Sequence, residues 1–123
     1  MKNVPSKELT YKVIGALYDT YNELGFGYQE KYYYRAIKLK LQEKGLKVKE
    51  QLLARITASG KIIGRYFLDF LVDDLLVLEI KVANAVYSKH IKQVLGYLKA
   101  NALKLGIVAV FTKQGVIIKR VIN

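Results

Sequence analysis

Asp69 and the tripeptide Glu79-Ile80-Lys81 set charged residues in largely apolar strands of this chain. Two acids and a lysine lie among Leu, Val, Phe and Ile, in a stretch from Ile62 to Val82 that reads as a hairpin of largely buried strands. Side chains alternate faces along a strand, so Glu79 and Lys81 point the same way and Ile80 the other. Charges in such apolar surroundings need partners or a bound cation. One arrangement is a plain Glu–Lys pair at a sheet margin. The other involves Asp69 and depends on register. A turn on Asp73-Asp74 alone pairs Val72 with Leu75, leaving Asp69 opposite Leu78 and Glu79 on the other side of the sheet. A three-residue loop, Asp73-Asp74-Leu75, pairs Val72 with Leu76 and sets Asp69 across from Glu79. Opposed residues place their Cβ atoms about 4.5–5.5 Å apart, where like charges destabilise the pair. Mg²⁺ or Mn²⁺ would turn that repulsion into a site, because hard divalent cations take carboxylate oxygens and keep several waters. Both registers stay open at this point; the metal site needs the odd loop or a bulge.

The elements that must position these residues can be read in order. Leu9, Val13, Ala16, Leu17, Tyr21 and Leu24 recur at helical spacing behind Pro5-Ser6, which predicts a helix over residues 6–24. Gly25-Phe26-Gly27 breaks it. A second helix is expected over residues 29–44, with Tyr33, Ala36, Ile37 and Leu41 on one face and Gly45 at its end. Glu30 falls in its first turn, where a carboxylate also suits the helix dipole. Residues 46–57 alternate as a strand, an alternation spoiled only at Glu50. Ser59-Gly60 turns the chain into the strand carrying Asp69. A third helix is expected over residues 86–103, with Ile91, Val94, Leu95, Leu98 and Ala102 as its core stripe. His90, Gln93 and Tyr97 follow at i, i+3 and i+7 along the edge of that stripe, where an ordinary polar flank would also put them. Two strands, 106–111 and 116–121, close the chain around Lys113-Gln114-Gly115. The order of helix, helix, three strands, helix and two strands predicts an α/β or α+β sheet with helices packed against it.

Composition narrows the chemistry. At 123 residues the chain reads as a single domain, 1–123, large enough for a real core. It contains no cysteine, so thiolate metal sites and cysteine nucleophiles are excluded, and His90 is its single histidine, so multi-histidine zinc sites are excluded too. No apolar run approaches the roughly 18–20 residues of a membrane helix, and the N-terminal stretch lacks the apolar core of a signal peptide. A soluble cytoplasmic protein without membrane contact is therefore expected. The formal net charge is +11. Glu79 is the last acid, followed by Lys81, Lys89, Lys92, Lys99, Lys104, Lys113, Lys119 and Arg120. A one-signed half of this kind attracts polyanions, nucleic acid above all, although lysines also merely solubilise helix faces. The ten tyrosines, Tyr32-Tyr33-Tyr34 among them, fit base stacking, a dimer surface or plain core packing.

Several of these motifs, in order, resemble one family. Gly27-Tyr28-Gln29-Glu30-Lys31-Tyr32-Tyr33 is similar to the G-x-x-E-x-x-Y signature of the GxxExxY proteins, small members of the PD-(D/E)XK nuclease superfamily. Tyr66, Asp69, Leu71 and Val72 resemble that family's Y-x-x-D-x-L-V strand, and Glu79-Ile80-Lys81 its E-L-K strand. His90, Gln93, Tyr97-Leu98-Lys99-Ala100 and Leu103-Lys104-Leu105-Gly106 resemble the family's next helix and strand, and Lys119-Arg120-Val121 its ending. The likeness runs from Leu9 to Val121. It departs at Phe67, where a basic residue is expected, and at Val82-Ala83-Asn84 after the lysine.

The resemblance implies a restriction-endonuclease-like PD-(D/E)XK core, a central mixed sheet flanked by helices. It implies metal-dependent phosphodiester hydrolysis of nucleic acid, DNA in the first place. Asp69, Glu79 and the backbone carbonyl of Ile80 would hold Mg²⁺ or Mn²⁺, with Glu30 as an outer ligand. Lys81 would orient or activate the attacking water, and Gln93 and Tyr97 would contact the backbone or order the metal's waters. Cutting both strands with one site per subunit would call for a homodimer. The alternative is a nucleic-acid-binding or protein-interaction module that keeps the fold without efficient cleavage.

Overall fold

The computed structural model describes residues 4–123. Its elements run α1 (Lys7–Leu24), α2 (Glu30–Glu43), β1 (Val48–Ala58), β2 (Lys61–Val72), β3 (Leu76–Val82), α3 (Ser88–Ala100), β4 (Leu105–Thr112) and β5 (Gly115–Ile122). The strands form one sheet in the order β1-β2-β3-β4-β5. Every neighbouring pair is antiparallel except β3 and β4, which lie parallel with α3 as the crossover between them. The expected α+β sheet with flanking helices is what the chain forms.

Two apolar layers hold the helices to opposite faces. Leu9, Val13, Leu17, Ile37 and Leu41 of α1 and α2 pack on Phe70, Leu78, Ile80 and Phe111. On the other face, Val94 and Leu98 of α3 pack on Leu68, Val77, Val108 and Val110. Ser6 starts α1 by accepting the Leu9 N–H at 3.0 Å, which satisfies one of the amides a helix start leaves unpaired. The break into α2 passes through Gly27 at φ 116°, a backbone region other residues rarely adopt. Tyr33 then anchors the start of α2: its ring stacks on Phe111 at 4.5 Å and its hydroxyl donates to the Gly25 carbonyl. Phe111 lies beside Val82 across the parallel pair, so this stack brings the first turn of α2, with Glu30, over the end of β3.

The third helix is shorter than residues 86–103. Val86 lies outside it and Tyr87 is extended ahead of it. It stops at Asn101, and Ala102 adopts a left-handed φ of 53°. The Leu103 N–H closes back on the Leu98 carbonyl at 2.9 Å, a common way to satisfy the last carbonyls of a helix. Ala102 is therefore exposed rather than part of the stripe, and His90 takes a buried position in its place. Gly106 lets the helix lie this close, since a Cβ there would stand 2.4 Å from Val94 Cγ1.

The hairpin takes the odd loop. Val72 pairs with Leu76, Leu71 with Val77 and Phe70 with Leu78. Asp73 and Asp74 both turn through positive φ, and Asp73 exchanges backbone hydrogen bonds with Lys47 through its N–H and its side chain.

Candidate active site

Regular pairing between β2 and β3 ends at Phe70 and Leu78, and the two carboxylates take over where it stops. The Asp69 N–H donates to Glu79 Oε1 at 3.1 Å, and the Ile80 N–H donates to Asp69 Oδ2 at 2.7 Å. Each acid thus satisfies a backbone amide of the opposite strand, and the strands part without leaving a buried amide unpaired. The cause lies one strand further out. Leu46 and Val48 pack on the α1–α2 side, whereas Leu52 and Leu68 pack on the α3 side. The swap of faces occurs at Gln51, whose φ is 53°, opposite Asp69. The alternation that Glu50 spoiled in the sequence is this swap, not a single misplaced residue.

Glu79 is 2% exposed. Lys81, on the same face two residues on, brings its Nζ to 3.7 Å from Glu79 Oε2. Ile80 points the other way into the α1–α2 core, as alternation requires. Burial pushes the Glu79 carboxyl up to about 9, helped by the Asp69 carboxyl beside it and opposed by Lys81. Burial raises Asp69 as well, against its contact with Glu79, the Ile80 amide and Lys81. Two carboxyls this close do not both ionise cheaply, so at neutral pH the pair keeps a proton unless a cation joins it.

A cleft of about 620 Å³ opens on the α2 side, with Asp69 at its base and Glu30, Lys31, Arg35 and Lys38 of α2 along its wall. Glu30 Oε1 accepts from the Val82 N–H at 3.3 Å, which borders the carboxylate pair without joining it. Among the described residues no group of three or more Asp, Glu, His or Cys side chains is placed to hold a metal ion. The donor set that fits a hard cation is the pair Asp69, half-buried, and Glu79, buried, whose carboxylates when both ionised carry more negative charge than Lys81 offsets.

The third helix approaches the site by its N-terminal half. His90 is buried, with its Nδ1 lacking a hydrogen-bond partner; burial and then Lys81 and Lys89 lower its pKa and keep the ring neutral. The Tyr66 hydroxyl donates to the Gln93 carbonyl at 2.7 Å, while burial and the Glu79 charge push Tyr66 upward. The Gln93 side chain itself makes no hydrogen bond to Asp69, Glu79 or Lys81 among the described residues. Tyr97, a further turn along, lies in the field of Lys49, which pairs with Asp74 at the hairpin turn. The structure therefore brings Asp69, Glu79, Ile80 and Lys81 together, sets Glu30 and Gln93 at their border, and leaves Tyr97 toward the far end of the hairpin.

Sequence reading missed the polar network beside Asp69. Tyr34 donates to Glu50 Oε1 at 2.7 Å and accepts from Gln51 at 3.3 Å, and Lys38 pairs with Glu50 at 2.8 Å. Burial pushes Tyr34 up to about 12, and the Lys38 contact holds Glu50 below the usual carboxylate range. The one available signal was Glu50 itself, an acid at an inward-reading strand position.

A mixed five-stranded sheet, helices on both faces and a central hairpin presenting acid, acid and lysine define the class of nuclease-like α+β folds. Residues 7–121 match the family model of the PD-(D/E)XK nuclease superfamily, and the chain belongs to it. Comparison with curated proteins found no match in sequence. Among solved structures, the crystal structure of SSO0001 is similar in fold, with a TM-score of 0.60 at 18% identity, over 94% of this chain and 58% of that one. The chain thus spans little more than half the length of that relative. No helix among the described residues is long and apolar enough to cross a membrane.

Proposed function

We propose that this protein is a small nuclease of the GxxExxY type that hydrolyses phosphodiester bonds in nucleic acid, DNA in the first place, with Mg²⁺ or Mn²⁺. The observation that carries this reading is the Asp69–Glu79 pair, half-buried at Asp69 and buried at Glu79, raised in pKa and with Lys81 3.7 Å from Glu79. Asp69 and Glu79, with the Ile80 carbonyl, would hold the cation. Bound there, it supplies a Lewis acid for the phosphoryl oxygen and lowers the pKa of a bound water. Lys81 would orient the attacking water and offset charge that develops on the phosphoryl oxygen. The Ile80 and Asp69 amides fix both carboxylates from behind, so the pair is set before substrate arrives. Lys31, Arg35 and Lys38 guide the phosphate backbone into the cleft above Asp69. Glu30 braces the end of β3 through the Val82 amide and would serve as an outer ligand of the cation. Gln93 and Tyr97 act from α3 as lesser contacts.

A second reading, a nucleic-acid-binding or protein-interaction module with this fold and no efficient cleavage, draws support from the absence of a third ligating side chain among the described residues. One experiment separates the two. Single-stranded, duplex, nicked and four-way-junction DNA and RNA are incubated with Mg²⁺, Mn²⁺ or Ca²⁺ and with wild type or Glu79→Ala. The nuclease reading expects cutting with Mg²⁺ or Mn²⁺, none with Ca²⁺, and none by Glu79→Ala although binding persists. No cutting of any substrate by wild type, with binding intact, establishes the module instead.

A further inference from the structure

Beyond the cleft, β1 and β2 continue as a two-stranded arm. The strands pair from Leu53 with Phe67 out to Ala58 with Lys61, whereas β3 pairs with β2 only over Phe70–Val72. The arm is closed by Ser59 and Gly60, both at positive φ, as a tight hairpin turn requires. Six residues of strand reach about 20 Å, and a bare two-stranded ribbon is marginal in water without something to lie against.

The arm has one face toward the cleft. Leu52 and Leu68 point into the α3 layer, so Leu53 and Phe67 face the α2 side, and two residues further on so do Arg55 and Arg65. Phe67 is 56% exposed there. Arg55 and Arg65 are direct cross-strand partners, an arrangement of like charges that is unfavourable by itself. No acid occurs between Glu50 and Asp69 to relieve it.

The use of arginine across the molecule points the same way. Every ion pair among the described residues is made by a lysine. None of the four arginines has a carboxylate partner there; Arg35 lies over the Tyr32 ring instead. Guanidinium groups match phosphate oxygens in a two-pronged fashion that ammonium groups do not. Arg35 lines the cleft, and Arg55 and Arg65 extend the same side outward.

We propose that the β1–β2 arm is a duplex-binding element, lying along double-stranded nucleic acid to one side of the scissile phosphate, with Arg55 and Arg65 on phosphates and Phe67 against the sugar edge. The proposal rests on the nucleic-acid reading of the cleft. The arm's length matches about six base pairs at 3.4 Å each. A two-stranded ribbon fits a duplex groove, whereas single strands are held by successive stacking aromatics, and this face offers only Phe67. A second copy of the chain suits the face poorly, since it would bring another pair of unpaired arginines against this one.

The test measures equilibrium binding of the whole protein, in EDTA to prevent cutting, to duplex and single-stranded DNA over a range of salt. Wild type is compared with Arg55→Gln/Arg65→Gln, whose thermal melting checks the fold, and with Phe67→Ala. The double variant should bind duplex more weakly by roughly a hundredfold or more, for two charge-assisted hydrogen bonds lost. Its plot of log K against log salt should be shallower by about two, while single-strand binding changes little. Phe67→Ala should weaken duplex binding less and leave the slope unchanged. Unchanged duplex affinity and slope overturn the proposal, as does an equal loss on single strands. Sedimentation that shows the double variant dissociating a dimer, with duplex affinity intact, overturns it in favour of a second copy. Because the readout needs no cleavage, a wild type that binds through the arm but cuts nothing sinks the nuclease reading alone. Cutting by wild type with unchanged affinity in the double variant sinks the arm alone.

Discussion

The same hairpin carries two pairs of acids, and they differ in how the chain treats them. Asp73 and Asp74 form the turn, in water. Asp74 contacts Lys49 at 2.8 Å and Lys47 at 3.0 Å, which hold it below the usual carboxylate range, and Asp73 accepts the Lys47 N–H. Asp69 and Glu79 lie a few residues away within the sheet, on β2 and β3, with a single lysine 3.7 Å from Glu79, and both are pushed upward by burial. Acids that need to be stable are given lysines of the chain's own. The second pair is short of positive charge once both carboxyls ionise, which costs stability, and in the function proposed above a bound cation would complete it.

That contrast can be broken by mutation. The largest expected difference is in catalysis: Glu79→Ala should abolish cutting in an initial-rate assay, while Asp74→Ala leaves the rate close to wild type. If Asp74→Ala is as damaging as Glu79→Ala, the two pairs do not divide into site and scaffold. Lys81→Ala should cost about 10²-fold or more in rate while divalent-cation binding persists, because a group that meets charge in the transition state is lost and the carboxylates are not.

The pH dependence of stability should carry opposite signs for the two pairs. Glu79 and Asp69 have folded pKa values above their unfolded ones, so their contribution is full below the ordinary carboxylate range and is lost as pH rises, for Glu79 toward about 9. Asp74 has a lowered pKa, so its contribution is present above the ordinary range and is lost as pH falls through its folded value. Denaturant melts in EDTA should show Glu79→Gln more stable than wild type at pH 8 and equal to it near pH 4. A variant that is less stable than wild type at pH 8 would contradict the strain assigned to the pair.

A smaller effect concerns the helix behind the site. Gly106→Ala puts a Cβ 2.4 Å from Val94 Cγ1, so α3 must shift, at a cost of about 1–3 kcal/mol for an overpacked core. Thermal melting measures this loss. Gln93→Ala and Tyr97→Phe should change the rate least, since neither side chain is hydrogen-bonded to the carboxylates.

Much of this site could be read from the chain because its signals were local. Asp69, Glu79 and Lys81 stood out as charges in apolar strands, and the odd loop that sets them together was one of two registers written in Asp73-Asp74-Leu75. The helices of the first layer followed their apolar stripes, with Ser6 as the cap. What escaped was non-local. The swap of faces at Gln51 depends on a positive φ in a residue that advertises none, so the role of Glu50 beside Tyr34 and Lys38 was hidden. The early stop of α3 follows from a left-handed Ala102, a residue type that ordinarily extends a helix. His90 was thereby read as an edge residue although it is buried beside the site. The basic wall of the cleft comes from Lys31, Arg35 and Lys38 of α2, ahead of the one-signed half that the charge count singled out.

The most direct test of the central claim is calorimetric titration of Mn²⁺ into the protein at pH 7.5, run in two buffers of different ionisation enthalpy. Asp69 and Glu79 sharing a proton should take up the cation with release of about one proton per ion, seen as a buffer-dependent heat, since ligating carboxylates must be deprotonated. Glu79→Gln should lose both the binding and the proton release, while Asp74→Asn retains them. Equal binding by wild type and Glu79→Gln, or no binding by either, would contradict the assignment of this pair as the metal site.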